Sequence, residues 1–254
     1  MNEPSFLTMP GDRRIAYHKT HATGAGAALP GVVFLGGFKS DMEGTKALAL
    51  EAWAERTGRA FLRFDYTGHG QSSGAFEDGC IGDWARDAAD AVGALTEGPQ
   101  IVIGSSMGGW ISLLLARRMP ERIAALIGIA AAPDFTCVMR AEMDEAARLE
   151  MAQTGRWSRP SDYSDEPYII TQKLLDEAED HLILTSSLAA PFPVHLLQGT
   201  EDEAVETSVA LALLDHVEGP DTRLTLVKGA DHRFSEAHEL TLLIETVEGI
   251  IQPG

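Results

Sequence analysis

The sequence predicts an α/β fold: a mostly parallel central sheet with an N-terminal antiparallel hairpin and one helical insertion. Three observations carry this expectation. Short apolar, β-branched runs alternate with longer segments of helical periodicity, the pattern of βα units on a parallel sheet. A Gly-x-Ser-x-Gly pentapeptide joins one of these strands to the next helix with no gap. The alternation then breaks for 57 residues, 134–190, before it resumes.

Each element follows in order. Residues 5–9 and 14–19 flank the turn Pro10-Gly11-Asp12 and read as the hairpin. Residues 21–31, rich in Ala and Gly, read as a loop. A strand is expected over 32–35, ending in Gly36-Gly37, with a helix near 45–57. Residues 60–64 form the next strand and 81–95 the next helix. Residues 100–104 form a strand running straight into a helix near 107–119, and 122–130 a strand ending at Pro133. Residues 134–190 hold acid-rich, helix-like segments and no convincing strand. The series resumes with a strand over 194–199, a helix near 207–216, a last strand over 222–227 and a closing helix over 238–252. Residues 1–133 and 191–254 therefore make the sheet-bearing core, and 134–190 a helical cap. An insertion of this length exceeds a simple connection and points to a functional lid.

The chain has 254 residues, which suits one large α/β core. Its 38 Asp+Glu against 20 Lys+Arg give a net charge of −18. That balance argues against nucleic-acid partners, whose phosphates demand a surplus of Lys and Arg, and against docking on anionic membrane through a basic patch. The longest nearly apolar run, residues 123–133, is too short for a bilayer, which needs about 18 or more. The opening Met1-Asn2-Glu3-Pro4 shows no secretory signal. Two cysteines, Cys80 and Cys137, make no disulfide framework, and reduced thiols in the cytoplasm are expected. No His-Glu-x-x-His, phosphate loop or Cys-x-x-Cys is present, and Gly68-His69-Gly70 lacks the third glycine of a dinucleotide site. No metal and no cofactor are expected. Monomer and homodimer are both open.

Gly-x-Ser-x-Gly occurs twice. Gly70-Gln71-Ser72-Ser73-Gly74 lies behind a turn-rich stretch and no helix follows it, so it reads as a tight loop with Asp65 and Ser72 bonding the local backbone. Gly104-Ser105-Ser106-Met107-Gly108 has a strand before it and an amphipathic helix after it. A serine at such an apex takes φ > 0, its neighbours two residues away must lack side chains, and the helix N-terminus faces its hydroxyl. Ser106 is the expected nucleophile, with Ser105 pointing away.

A serine hydroxyl needs a base. On a sheet of this kind the base follows the last strand and the acid the one before it, in chain order Ser…Asp…His. His232 lies directly after strand 222–227. His238 falls in the final helix, and His69, between glycines, reads as a turn residue able to line a pocket. Asp202, three residues past Gly199, is the expected acid, and Asp134 is the alternative, otherwise the N-cap of a cap helix. Asp231, adjacent to the histidine, reads as structural. Two backbone donors are required for the oxyanion: the N–H of Met107 and, above the turn that Gly36 and Gly37 allow, the N–H of Phe38.

The stretches Arg59 through Gly68, Glu97 through Trp110, Ala125 through Ala130 and Asp231-His232-Arg233, with Gly155-Arg156-Trp157 and Tyr163 in the cap, resemble the α/β-hydrolase family. Within it they resemble the branch of mitochondrial palmitoyl-protein thioesterases and acyl-glucuronide esterases and their bacterial relatives. The resemblance implies an α/β-hydrolase fold and a Ser106–Asp202–His232 triad. The lack of a transit segment makes the chain look like a bacterial cytoplasmic member.

The expected reaction is hydrolysis of a carboxylic ester or thioester, on a small molecule or an acylated protein, through an acyl-enzyme on Ser106. A carbon–carbon bond hydrolase and a perhydrolase would use the same triad, and a ligand receptor on the same fold would bind without turnover. Trp157, Tyr163 and Tyr168, with Met107 and Trp110, are candidates for the pocket lining, although aromatic residues in a helical insertion are more often core, and Trp110 is expected to pack its helix on the sheet. The cap carries 12 Asp+Glu and 5 Lys+Arg, a net −7. It is expected to repel polyanionic acyl carriers, with Arg156 and Arg159 as a basic exception beside Trp157.

Overall fold

The computed structural model describes residues 3–160 and 167–251. The chain opens with the hairpin β1 (Ser5–Met9) and β2 (Arg13–Thr20). There follow β3 (Gly31–Leu35), α1 (Thr45–Thr57), β4 (Phe61–Phe64), α2 (Ile81–Leu95), β5 (Gln100–Ser105), α3 (Met107–Arg118) and β6 (Ile123–Ile129). The next stretch holds α4 (Phe135–Glu142), α5 (Glu145–Thr154), β7 (Arg156–Arg159), β8 (Tyr168–Thr171), α6 (Gln172–Glu177) and β9 (Leu188–Ala189). The last part is β10 (Val194–Gly199), α7 (Thr207–His216), β11 (Val217–Glu218), β12 (Thr222–Val227) and α8 (Ala237–Ile251).

One eight-stranded sheet runs β1-β2-β4-β3-β5-β6-β10-β12. The β1–β2 and β2–β4 pairs are antiparallel, and every pair from β4 to β12 is parallel. Two apolar layers cover it. Val33 and Leu35 of β3 face Trp84 of α2 and Trp110 of α3, whereas Val32 and Phe34 face Leu50 and Trp53 of α1 and Leu243 and Val247 of α8. Every residue of β3, β4 and β5 is buried. Strands covered on both faces read as largely apolar runs, which is how these appear in the sequence. The one charge in them, Arg63 of β4, is neutralised by Glu43 and Glu51.

The segment between β6 and β10 departs from the expectation of helices alone. β7 and β8 pair antiparallel, with Trp157 opposite Ile170, and β9 pairs with β11. These strands have two to four residues and close only on distant partners, so no period-2 signal long enough to read precedes them. Asp134 stands at the N-cap position of α4, as the alternative reading has it, but does not cap through its side chain. It takes φ 56°, and its carboxylate accepts the N–H groups of Ile183 and Leu184, each at 2.8 Å. It thus ties the start of this segment to its return. Among the described residues no helix is long and apolar enough to cross a membrane.

Candidate active site

Ser106 stands between β5 and α3 at φ 54°, ψ −119°. This conformation is costly for a residue with a Cβ, and neighbouring strands hold it. The Ser106 N–H donates to Ile129 O at 2.9 Å, and Ser106 O accepts from Gly109 and Ala132. A Cβ on Gly104 would overlap the Gly108 carbonyl, as the motif requires. A Cβ on Gly108 would overlap the carbonyls of Leu35 and Gly36, so the second glycine is demanded by the end of β3 as well.

Because β10 and β12 are adjacent and parallel, with Gly199 beside Val227, their following loops emerge together. Thr200 N–H donates to Val227 O and Glu201 N–H to Ala230 O, and only a glycine at 199 avoids the Ala230 carbonyl. This stitching brings His232 to Asp202. His232 Nδ1 lies 3.0 Å from both Asp202 carboxylate oxygens, and its Nε2 lies 3.0 Å from Ser106 Oγ. A carboxylate can only accept, so Nδ1 carries the proton and Nε2 presents its lone pair to the serine hydroxyl. Asp202 also accepts from Ala204 N–H, Val205 N–H and Gln198 Nε2. Burial alone would raise its pKa, but the bond from His232, the His232 charge and the Val205 and Gln198 donors outweigh burial and hold the carboxyl below its ordinary range.

Asp231 is structural, as expected: its Oδ1 accepts from Arg233 and Phe234 N–H, which turns the loop and sends Phe234 into the core. Ser72 bonds Asp65 O and the Ala16 N–H, so the second Gly-x-Ser-x-Gly is a loop staple. His238 is exposed on α8.

The loop after β3 turns over residues 37–40, closed by Ser40 N–H to Gly37 O. The left-handed residue is Lys39, at φ 55°, and not either glycine. The third turn position takes the positive φ, while Gly37 opens the turn and a Cβ on Gly36 would meet Ser40 Oγ at 3.1 Å. Met107 is the first residue of α3, where an amide has no intrahelical acceptor.

Around this turn lies an aromatic cluster. The Phe38 ring meets Phe76, Trp84, Phe135 and Tyr168 edge-on, with centroids 4.9, 5.9, 5.5 and 5.7 Å away. Tyr168 therefore packs against the Phe38 side chain. Trp157 is buried in the core through β7, and Tyr163 lies outside the described residues. Trp110 is fully buried, and its Nε1 donates to His181 O, so it also anchors the segment after β6. Arg156 pairs with Glu77 and Arg159 with Glu142. The expected basic exception beside Trp157 is therefore neutralised. Two surface clefts, about 150 Å³ beside Arg13 and Asp87 and about 290 Å³ beside Arg148 and Met151, lie away from Ser106.

Sequence reasoning missed Gln198. It is fully buried at the end of β10 and donates to Asp202 at 2.9 Å and to Val205 O at 3.1 Å. A buried-strand polar residue next to Gly199, four positions before the acid, is its only signal.

Comparison with known proteins places the chain in a family. The model of the alpha/beta hydrolase family matches residues 32–242. The human protein named palmitoyl-protein thioesterase ABHD10, mitochondrial, is 37% identical over 248 residues, covering 97% of this chain and 79% of its own length. A putative hydrolase from Agrobacterium vitis S4 superposes with a TM-score of 0.92 at 34% identity, over 98% of each chain. The mouse alpha/beta hydrolase domain-containing protein 10 gives 0.89 at 36% identity, again over 98% of each. With a family match spanning most of its length and a relative 37% identical over 97% of this chain, the chain belongs to the α/β-hydrolase family.

Proposed function

We propose that the protein is a serine hydrolase that cleaves fatty-acyl thioesters or carboxylic esters through an acyl-enzyme on Ser106. The observation that carries this reading is the relay of 3.0 Å contacts from Asp202 through His232 to a serine held at positive φ. His232 Nε2 takes the Ser106 proton as Oγ attacks the acyl carbonyl, and Asp202 stabilises the imidazolium. The N–H groups of Met107 and Phe38 stabilise the tetrahedral oxyanion. His232 then protonates the leaving thiol or alcohol, and water activated by the same nitrogen releases the acid. The relatives named palmitoyl-protein thioesterases support a thioester substrate.

Residues 134–190 act as a cap over this chemistry, with Tyr168 contributing to the acyl pocket beside Phe38. Their net −7 charge disfavours polyanionic carriers, so a neutral thioester is turned over with higher kcat/KM than an acyl-coenzyme A of equal chain length. Cys80 and Cys137 are free thiols, in keeping with a reducing compartment such as the cytoplasm.

The test is a series of nitrophenyl esters and acyl thioesters of increasing chain length, run beside a fluorophosphonate probe. Turnover and labelling confined to Ser106 support the reading. Labelling or turnover that survives at wild-type level in Ser106→Ala overturns it.

A further inference from the structure

We propose that His69 is a positioning residue for the oxyanion site, holding the 37–40 turn so that the Phe38 N–H faces the reacting carbonyl. The inference rests on the proposed reading of Ser106 as nucleophile and assigns a role to a motif, Gly68-His69-Gly70, that the triad leaves unused.

The geometry is built from three sides. Lys39 N–H donates to His69 Nε2 at 3.2 Å. Lys39 is the non-glycine residue at φ 55°, so this bond restrains the strained position that directs the preceding amide. On its other side, His69 Nδ1 lies 3.3 Å from Thr67 O, and Trp84 Nε1 donates to the same carbonyl at 3.0 Å. A carbonyl only accepts and an amide N–H only donates, so both contacts select one tautomer, with the proton on Nδ1 and the lone pair on Nε2.

The ring is also boxed in. Tyr66, Phe76 and Trp84 meet it edge-on with centroids 5.5, 5.1 and 5.1 Å away, and the residue is 3% exposed. Burial pushes its pKa down to about 4, with the Thr67 carbonyl opposing, so the imidazole stays neutral at physiological pH and keeps its acceptor. Gly68 and Gly70 take φ 77° and 44°, and side chains on them would strike Ala75 and the Asp65 carboxylate. The loop thus admits His69 in this one place. The same Asp65 carboxylate accepts from Met42 N–H at 2.7 Å and Gln71 N–H at 2.8 Å, binding the His69 loop to the loop that follows β3.

The experiment compares His69→Phe, which keeps an aromatic body and loses the acceptor, with His69→Gln, whose carbonyl can accept from Lys39. Substrate kinetics, inhibition by a boronic acid that forms an anionic tetrahedral adduct, and hydrogen exchange of the Lys39 amide are measured on each. For His69→Phe, kcat is expected to fall about tenfold to a hundredfold. Its KM is expected to stay within about twofold, boronate affinity to fall in parallel with kcat and Lys39 exchange to accelerate, with His69→Gln restoring most of each. Unchanged kcat, boronate affinity and Lys39 exchange in His69→Phe overturn the proposal, as does a loss shared equally by KM that Gln does not restore. Lys39 exchange reads the contact without catalysis. If wild-type protein neither turns over nor labels, the hydrolase reading fails by itself, and the role of His69 in the turn stands or falls on that exchange.

Discussion

Gln198 Nε2 donates to Asp202 Oδ2 at 2.9 Å, from a side chain wholly enclosed at the end of β10. The bond fixes one carboxylate oxygen while His232 takes its share of both. Gln198→Met removes the donor and keeps the volume. The carboxylate then becomes more basic and less fixed, so kcat is expected to fall about tenfold. The acid limb of kcat/KM, which belongs to the coupled Asp202–His232 pair, should move to higher pH. A pH–rate profile of the variant reads both effects.

The Ser106 backbone holds strain for the sake of its hydroxyl. Ser106→Ala keeps φ 54° and the Cβ, whereas Ser106→Gly relieves the conformation. Both should lose about three or more orders of magnitude in kcat. By urea denaturation the Gly variant is expected to be about 1 kcal/mol more stable than the Ala variant. Equal stabilities would mean that the surrounding bonds, and not the dihedral, set the cost.

Asp134 and Asp202 separate by what their loss does. Asp134→Ala deprives the amides of buried Ile183 and half-buried Leu184 of their acceptor and should destabilise by about 2–4 kcal/mol. Its kcat well below the melting temperature should stay within a few-fold of wild type. Asp202→Ala should lose about four orders of magnitude in kcat. Calorimetry together with kinetics at low temperature distinguishes the two carboxylates.

Lys46 of α1 reaches the Arg233 carbonyl in the His232 loop. Burial lowers its pKa to about 8, against the opposing attraction of Asp231 and Glu239. A lysine ordinarily titrates near 10.4, so between about pH 8 and 10.4 the unfolded chain binds more protons than the folded one. This group therefore contributes a stability that rises with pH across that window. Lys46→Met should flatten the rise, measured as the difference in unfolding free energy between pH 7.5 and pH 10 for variant and wild type.

Much of the molecule was legible in its sequence because the demands are local. The strand–serine–helix junction writes its steric needs into Gly104 and Gly108, and strands buried on both faces write theirs as apolar runs. The order of the loops after β10 and β12 follows from parallel strands, so the sequence alone points to Asp202 and His232, whose side chains lie 3.0 Å apart. The paired strands β7 and β8, the tie from Asp134 to Ile183, and the roles of Gln198 and His69 were decided only by tertiary structure. Each depends on a donor meeting an acceptor or a strand meeting its partner across the fold, and a side chain bears the same chemistry whether or not that partner arrives. The left-handed turn residue is the sharpest case: the sequence offers Gly36 and Gly37, yet the conformation falls on Lys39, because contacts from outside the loop restrain it.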